Sequence, residues 1–149
     1  VLSHNPMAMM PFCGYNMADY FKHWMQMGKS LGDKAPKIFN VNWFRTDKDG
    51  KFIWPGFGDN LRVLEWILKR CENDIDAKET PIGYIPNISD INLEGTYVSQ
   101  EDLDKLLEIN IDLWKKEAKN IKEFYQIFEN KLPDELKVEL ENLEKRLEK

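Results

Sequence analysis

Residues 41–60 constrain this chain most, because they place five aromatic rings, a turn and a helix start within twenty residues. The rings are Trp43, Phe44, Phe52, Trp54 and Phe57, and the glycines among them are Gly50, Gly56 and Gly58. Packing alone rarely requires so many rings beside so much glycine. Such a segment can build a flat aromatic slot next to backbone hydrogen-bond donors, and that arrangement suits a purine base.

The pattern before and after the turn predicts a β-hairpin. From residue 38 the apolar period is two, with Phe39, Val41 and Trp43 on one face and Ile38, Asn40, Asn42 and Phe44 on the other. Lys48–Gly50 is a turn signal, and residues 51–54 are the returning strand. If Arg45 pairs with Lys51, Phe44 stands directly across from Phe52. The face with the asparagines is not a plain core face, so we expect it to line a pocket.

Three phenylalanines define the aromatic slot that we predict here. Stacking of a base on aromatic faces contributes about 1–3 kcal/mol, whatever the base. Choosing one purine then requires hydrogen-bond partners at the edge of the base. The glycine backbone around Phe57 can approach a ligand closely, and Asn60 offers a donor and an acceptor at a helix start. The predicted binding residues are Phe44, Phe52, Phe57, Gly58, Asp59 and Asn60. Packing of the same hairpin on its own core is the alternative.

Capping residues and apolar spacing predict the helices. Asn16 is a candidate N-cap for a helix through Met27, and Asp59 is a candidate N-cap for a second helix. The second helix has an apolar stripe of Leu61, Leu64, Leu68 and Cys71. Between this helix and the C-terminal helices, Thr80–Pro86 is a candidate short β region.

A capping box at Ser99–Asp102 opens what the pattern predicts to be the longest helix. Its stripe is Leu103, Leu107, Ile111, Trp114, Ala118, Ile121, Tyr125 and Phe128. Pro133 ends it and starts another helix, so we expect two antiparallel helices. The predicted fold is α+β, with short strands and an aromatic hairpin flanked by helices. We divide it into a base-recognition region, 1–98, and a helical pair, 99–149.

Composition excludes several classes of function. With 149 residues, 42% hydrophobic content and a net charge of −5, the chain is a globular domain without a basic footprint for nucleic acid. Cys13 and Cys71 match no disulfide framework or zinc spacing and suit a reducing, cytoplasmic compartment. We expect no membrane span and no signal peptide. The two histidines have no ligand spacing, and no nucleophile–base pair stands out, so we predict no metal site and no catalytic residue.

Several segments resemble the C-terminal part of GTP-dependent phosphoenolpyruvate carboxykinase. They are Asn5–Met9, Pro11–Asn16, Lys37–Phe44, Phe52–Asn60 and Thr80–Pro86, and they occur in the family's order and spacing. Three positions depart from the family's pattern: Met10, Cys13 and Asn40 stand where arginine, phenylalanine and histidine are common.

The resemblance implies an enzyme that interconverts oxaloacetate plus GTP with phosphoenolpyruvate, carbon dioxide and GDP. It implies that Phe44, Phe52 and Phe57 enclose guanine and that residues 57–60 line its edge. The manganese or magnesium ligands, the phosphate loop and the oxaloacetate-binding arginines are expected outside this chain, in the remaining N-terminal part of the enzyme. That part and the guanine nucleotide are the expected partners, and we expect the chain alone to be inactive.

The alternative reading is a non-enzymatic interaction module built on the helices after Ser99. A coiled-coil partner would need an apolar seam over several heptads. Pro133 interrupts that seam, and the large side chains of Trp114, Tyr125 and Phe128 do not suit a regular dimer.

Overall fold

The computed structural model describes residues 8–149, so His4 and most of the Asn5–Met9 segment lie outside the described residues. Within that range the fold is mixed, as predicted, with five α-helices and one two-stranded antiparallel sheet. The chain divides into two compact units, Val1–Pro36 with Asn110–Lys149, and Lys37–Ile109. These bounds differ from the division at residue 98, which stays a prediction about function. Among residues 8–149, no helix has the length and apolar content needed to cross a membrane.

The first unit is built on helix α1, Met17–Leu31. Asn16 caps it as predicted, since its Oδ1 accepts a hydrogen bond of 2.9 Å from the backbone N–H of Ala18. The start of α1 is buried together with Phe128 and Leu132. The ring of Phe21 meets that of Phe128 edge-on, with centroids 5.3 Å apart. This core contains no candidate binding residue.

Helices α4 (Ile111–Gln126) and α5 (Asp134–Leu147) form the predicted antiparallel pair in this unit. Lys122 Nζ lies 3.6 Å from Glu144 Oε1. Nearer the turn, burial and, to a smaller extent, the negative charge of Glu139 raise the pKa of the Tyr125 phenol. Since positions later in α4 meet positions earlier in α5, the two helices run in opposite directions. Pro133 directly precedes α5, as expected, but it does not end α4, which stops at Gln126 before the 3-10 turn Glu129–Lys131.

The single long helix predicted after Ser99 is wrong. The capping box is present, with the Ser99 side chain accepting from the Asp102 N–H, but helix α3 covers only Gln100–Leu107. Glu108 has an extended ψ of 134°, and Asn110 Oδ1 then caps α4 by accepting from the Leu113 N–H at 3.0 Å. The apolar spacing continues across this break, so periodicity alone could not reveal it.

The second unit contains α2 (Asn60–Glu72), α3 and a small sheet. Strands β1 (Lys78–Thr80) and β2 (Gly83–Ile85) pair antiparallel through a two-residue turn. They confirm a β element in the region predicted from Thr80 to Pro86. The buried core of this unit comprises Trp54, Trp66, Ile91, Val98 and Leu103.

Helix α2 turns a different face to this core from the one predicted. Trp66 is 5% exposed, and Val63 and Ile67 pack beside the core. The predicted stripe of Leu61, Leu64, Leu68 and Cys71 is exposed instead. Helix α2 has apolar residues on both faces, and burying the indole removes the larger apolar area from water. The leucine face of α2, defined as Leu61, Leu64 and Leu68, is left uncovered by the described residues.

The predicted aromatic hairpin is reduced to one isolated bridge between Thr46 and Phe52. The turn itself is confirmed, because Asp47 Oδ1 accepts from the N–H groups of Asp49 and Lys51, both at 2.9 Å. The predicted register is wrong by two residues, since Thr46 rather than Phe44 stands opposite Phe52. A two-stranded hairpin is marginal without a third strand. Residues 38–44 are accordingly not part of a sheet among the described residues.

Candidate functional site

Two of the predicted slot residues, Phe44 and Phe52, do come together. The shift of two residues keeps both side chains on one face of the hairpin as diagonal neighbours. Their ring centroids lie 5.8 Å apart, with an interplanar angle of 63°. Phe44 is 71% exposed and Phe52 is 63% exposed. The pair is therefore an open aromatic surface and not a packed core, contrary to the alternative of a buried hairpin.

The next feature is the glycine corner, residues 55–60, which carries the third ring. Gly56 has φ 76° and ψ −163°, a backbone conformation that is essentially restricted to glycine. Phe57 follows with φ 43°, and the Phe57 side chain is 97% exposed. A non-glycine residue in this region costs on the order of 1–3 kcal/mol. A strained backbone conformation that leaves a phenyl ring exposed to water is more typical of a ligand-binding site than of a residue needed for folding.

Phe57 does not touch the other two rings, because almost none of its surface is covered within residues 8–149. A Cβ added at Gly58 would meet no atom within 4 Å. No other part of the described chain therefore lies close to the Gly58 backbone, and its predicted close approach to a ligand stays a prediction. The convergence of three rings on one base stays a prediction.

Asn60 is tied to the core through Trp54. The buried indole of Trp54 donates a hydrogen bond of 2.9 Å from Nε1 to Asn60 Oδ1. Because an indole N–H can only donate, this contact fixes which end of the Asn60 amide is the oxygen. The Asn60 Nδ2 group has no hydrogen-bond partner among the described residues, and the side chain is partly exposed. Asn60 therefore presents an oriented pair of amide donors beside Phe57.

Asp59 does not act as the predicted side-chain cap of α2. It has helical backbone angles within the short 3-10 turn Phe57–Asp59, and an N-cap residue needs extended ones. Its carboxylate instead accepts from Arg62 Nε at 2.8 Å. Arg62 also donates to the carbonyl oxygens of Asn92 at 2.6 Å and Glu94 at 2.8 Å. The guanidinium thus links the glycine corner to the loop after residue 91.

Sequence reasoning missed Arg62, although a signal was present. An aspartate and an arginine three residues apart meet on a helix surface, so Asp59 and Arg62 could have been paired. The contacts to the loop at 92–94 could not have been predicted, since they join positions thirty residues apart. We call Asp59, Arg62 and residues 92–94 the arginine clamp.

The clamp makes a testable contribution to stability. We expect Arg62→Met to lower the free energy of unfolding by about 1.5–3 kcal/mol, because three charge-assisted hydrogen bonds with limited solvent access are lost. Urea unfolding followed by circular dichroism measures the change.

The control for this variant is Lys69→Met, which removes an exposed ion pair with Glu65 on the same helix. That pair contributes little, so the unfolding midpoint should stay unchanged. Equal unfolding midpoints for the two variants would contradict a structural role for the clamp.

The described residues offer no site for a metal ion. No group of three or more His, Cys, Asp or Glu residues lies close enough to hold one within residues 8–149. Residues 41–60 contain no histidine or cysteine, and the Asp59 carboxylate is engaged by Arg62. The exposed rings and the oriented amide suit a planar ligand, and we assign the site no chemical step.

Comparison with known proteins gives one consistent result. The family described as "Phosphoenolpyruvate carboxykinase C-terminal P-loop domain" matches residues 1–146. A Chlamydia caviae protein named phosphoenolpyruvate carboxykinase [GTP] is 51% identical over 147 residues, which cover 98% of this chain and 24% of the relative.

Proteins of the same name from two other bacteria agree. The one from Treponema pallidum is 49% identical over 148 residues, covering 98% of this chain and 24% of the relative. The one from Renibacterium salmoninarum is 49% identical over 149 residues, covering 99% of this chain and 24% of the relative. The chain thus spans about a quarter of the length of the curated relatives it matches. Sequence matches over nearly all of its residues show that the chain belongs to the GTP-dependent phosphoenolpyruvate carboxykinase family and corresponds to part of the C-terminal domain.

Proposed function

We propose that this chain is the guanine-recognising portion of a carboxykinase that converts oxaloacetate and GTP into phosphoenolpyruvate, carbon dioxide and GDP. One observation carries the proposal: exposed rings and an oriented amide lie on a short strained segment. Phe44 and Phe52 form an open aromatic pair, and the glycine corner holds Phe57 in water beside Asn60. This arrangement supports base binding more directly than it supports a partner helix.

In this proposal the rings hold the base and the amide selects it. The guanine ring stacks on the phenylalanine faces, and the Asn60 Nδ2 group donates to the O6 atom of guanine. Adenine carries an amino donor at the corresponding position, so its complex would bring two donors together. Leaving a polar group unpaired in this way costs about 1–3 kcal/mol. Trp54 contributes indirectly, because its hydrogen bond to Asn60 Oδ1 fixes the orientation of the donating group.

The reacting half of the site is assigned to the rest of the enzyme. Manganese or magnesium would supply charge stabilisation at the transferring phosphate when bound. Within residues 8–149 no group of three or more His, Cys, Asp or Glu fits such an ion. We place its ligands in the N-terminal part of the carboxykinase. The role of this chain is to bind and orient GTP or GDP through the base, in a cytoplasmic enzyme.

We expect the purified chain alone to show no manganese-dependent carboxykinase turnover, because positioned metal and cationic groups around the phosphate are required. The comparison protein is a full-length chimera, in which this chain replaces the matching 147 residues of the Chlamydia caviae relative. We expect the chimera to convert oxaloacetate and GTP to phosphoenolpyruvate. Turnover by the isolated chain, or a folded chimera that binds no guanine nucleotide, would contradict the proposal.

A further inference from the structure

The strained backbone at Phe57 is not held in place by packing of its ring. Gly56 and Phe57 have φ of 76° and 43°, and the Phe57 ring is 97% exposed, so it packs against almost nothing within residues 8–149. A strained conformation persists only where the surrounding structure fixes it. The contacts that keep Phe57 in place must therefore come from the neighbouring residues of the glycine corner.

Asp59 fixes the glycine corner from the side of helix α2. Its backbone N–H donates to the Gly56 carbonyl at 3.1 Å, which closes the turn around Phe57. Its carboxylate accepts from Arg62 Nε at 2.8 Å, and the side chains of Asp59 and Arg62 are only 24% and 19% exposed. Water therefore screens this ion pair less than it screens a pair on an open surface. Arg62 thus holds the residue that closes the corner.

The rest of the Arg62 guanidinium is fixed by the loop at residues 92–94. Arg62 Nη1 and Nη2 donate to the carbonyls of Asn92 and Glu94, at 2.6 and 2.8 Å. The loop is itself held by a hydrogen bond of 2.9 Å from the Glu94 N–H to Asn92 Oδ1, and it directly follows Ile91 in the buried core. All three guanidinium nitrogens donate to protein, and their planar geometry fixes the corner relative to the loop.

A second arginine links the aromatic pair to the same part of the chain. Arg45 directly follows Phe44 in the sequence. Arg45 Nη1 donates to the carbonyls of Leu106 at 3.1 Å and Glu108 at 2.9 Å, at the end of helix α3. We call residues 92–108 the supporting segment, which runs from the loop of the arginine clamp through α3. Both halves of the candidate site are therefore tied to one continuous segment through an arginine.

We propose that Arg62 and Arg45 are positioning residues for the nucleotide base, and that the supporting segment sets the spacing between Phe57 and the Phe44–Phe52 pair. The inference rests on the proposed function, since this spacing matters only if a base lies against the rings. All the groups involved belong to the second compact unit. A ring contributes stacking energy only when it is in contact with the base. A corner released from the clamp therefore loses that energy although the Phe57 ring is still present.

Double-mutant cycles in the full-length chimera test the inference. We expect Arg62→Met to raise the KM for GTP by at least about 5-fold, up to the effect of losing the stacked ring, with an unchanged KM for oxaloacetate. In the Phe57→Ala background the same change should alter the KM for GTP by less than about 2-fold, because no ring remains to be positioned. Arg45→Met should behave in the same way with Phe44→Ala. Lys69→Met, the control on α2, should leave the KM for GTP unchanged.

The cycles separate positioning from folding. A loss of stability alone would act equally in both backgrounds, so its effect would be additive with that of Phe57→Ala. Should Arg62→Met fail to fold, the cycle uses Arg62→Lys, which keeps the charge and cannot make all three contacts of the guanidinium. Additive effects in either cycle, or an unchanged KM for GTP in the arginine variants, overturn the inference. If Phe57→Ala raises the KM and the cycles are additive, the positioning role alone is refuted. An unchanged KM in Phe57→Ala refutes the proposed function and the inference with it.

Discussion

Trp66→Ala should lower the free energy of unfolding by about 3–5 kcal/mol, as large-to-small changes of a buried aromatic residue do. Trp66 is 5% exposed, contacts Phe39 edge-on and lies at the centre of the second unit's core. The change leaves a cavity between α2 and the segment that contains Phe39. Urea unfolding followed by circular dichroism measures the loss. Trp24→Ala, on the exposed surface of α1, should change stability by no more than about 0.5 kcal/mol.

A second variant separates packing from hydrogen bonding at the same residue. Trp66 Nε1 is buried and has no hydrogen-bond partner among the described residues. Trp66→Phe keeps an aromatic ring against Phe39 and removes that unpaired donor, which itself costs about 1–3 kcal/mol to bury. We therefore expect Trp66→Phe to lose less than half of what Trp66→Ala loses. Equal losses in the two variants would contradict a separate contribution of aromatic packing at this position.

Phe57→Ala in the full-length chimera should raise the KM for GTP about 5- to 150-fold, the equivalent of 1–3 kcal/mol of stacking per base. The kcat should change little, because the ring contacts the base and not the transferring phosphate. The stacking energy is then lost equally from the bound ground state and from the transition state. Alanine does not relieve the positive φ of Phe57, so the difference reports on the ring itself. Steady-state kinetics at saturating oxaloacetate measure both constants.

The matched control for Phe57 is Tyr97→Ala, because Tyr97 is also highly exposed and belongs to the same unit but is not predicted to contact nucleotide. Its KM for GTP should equal that of the unmodified chimera. Phe52→Ala should behave like Phe57→Ala. A Phe57 variant with an unchanged KM, or one whose kcat falls while its KM is constant, would contradict a stacking role.

Local signals in the sequence gave the starts of α1, α3 and α5, but not that of α2, where Asp59 does not act as the side-chain cap. Asn16 and Ser99 cap helices as their residue types predict, and Pro133 separates α4 from α5. Each of these features depends on residues within one turn of the helix, so no distant contact can override it. The same sequence stretch also held the Asn110 cap that breaks the predicted long helix. That signal was obscured because the apolar spacing of α3 continues unbroken into α4.

Features that depend on distant residues could not be predicted in this way. The inward face of α2 is decided by Trp66 meeting Phe39, and the glycine corner is anchored by Arg62 reaching residues 92–94. The alternation of residues 38–44 correctly gave Phe39 and Trp43 as facing the core, but Val41, predicted on the same face, is 37% exposed. The alternation could not give a sheet, because a strand also requires a partner backbone. Phe44, Phe52 and Phe57 are exposed because little of the described chain packs over them. An apolar pattern alone does not show whether a packing partner is present.

The indole N–H signal of Trp54 in a two-dimensional proton–nitrogen NMR spectrum tests guanine recognition most directly. Trp54 donates to Asn60 Oδ1, so this signal reports on the amide that selects the base, and Trp54→Phe assigns it among the five tryptophans. Stacking worth about 4 kcal/mol gives a roughly millimolar Kd, within reach of titration to about 20 mM nucleotide. We predict a saturable shift of the Trp54 signal with GDP and a much smaller one with ADP. Equal shifts with the two nucleotides, or no shift with GDP, would contradict guanine recognition at this site.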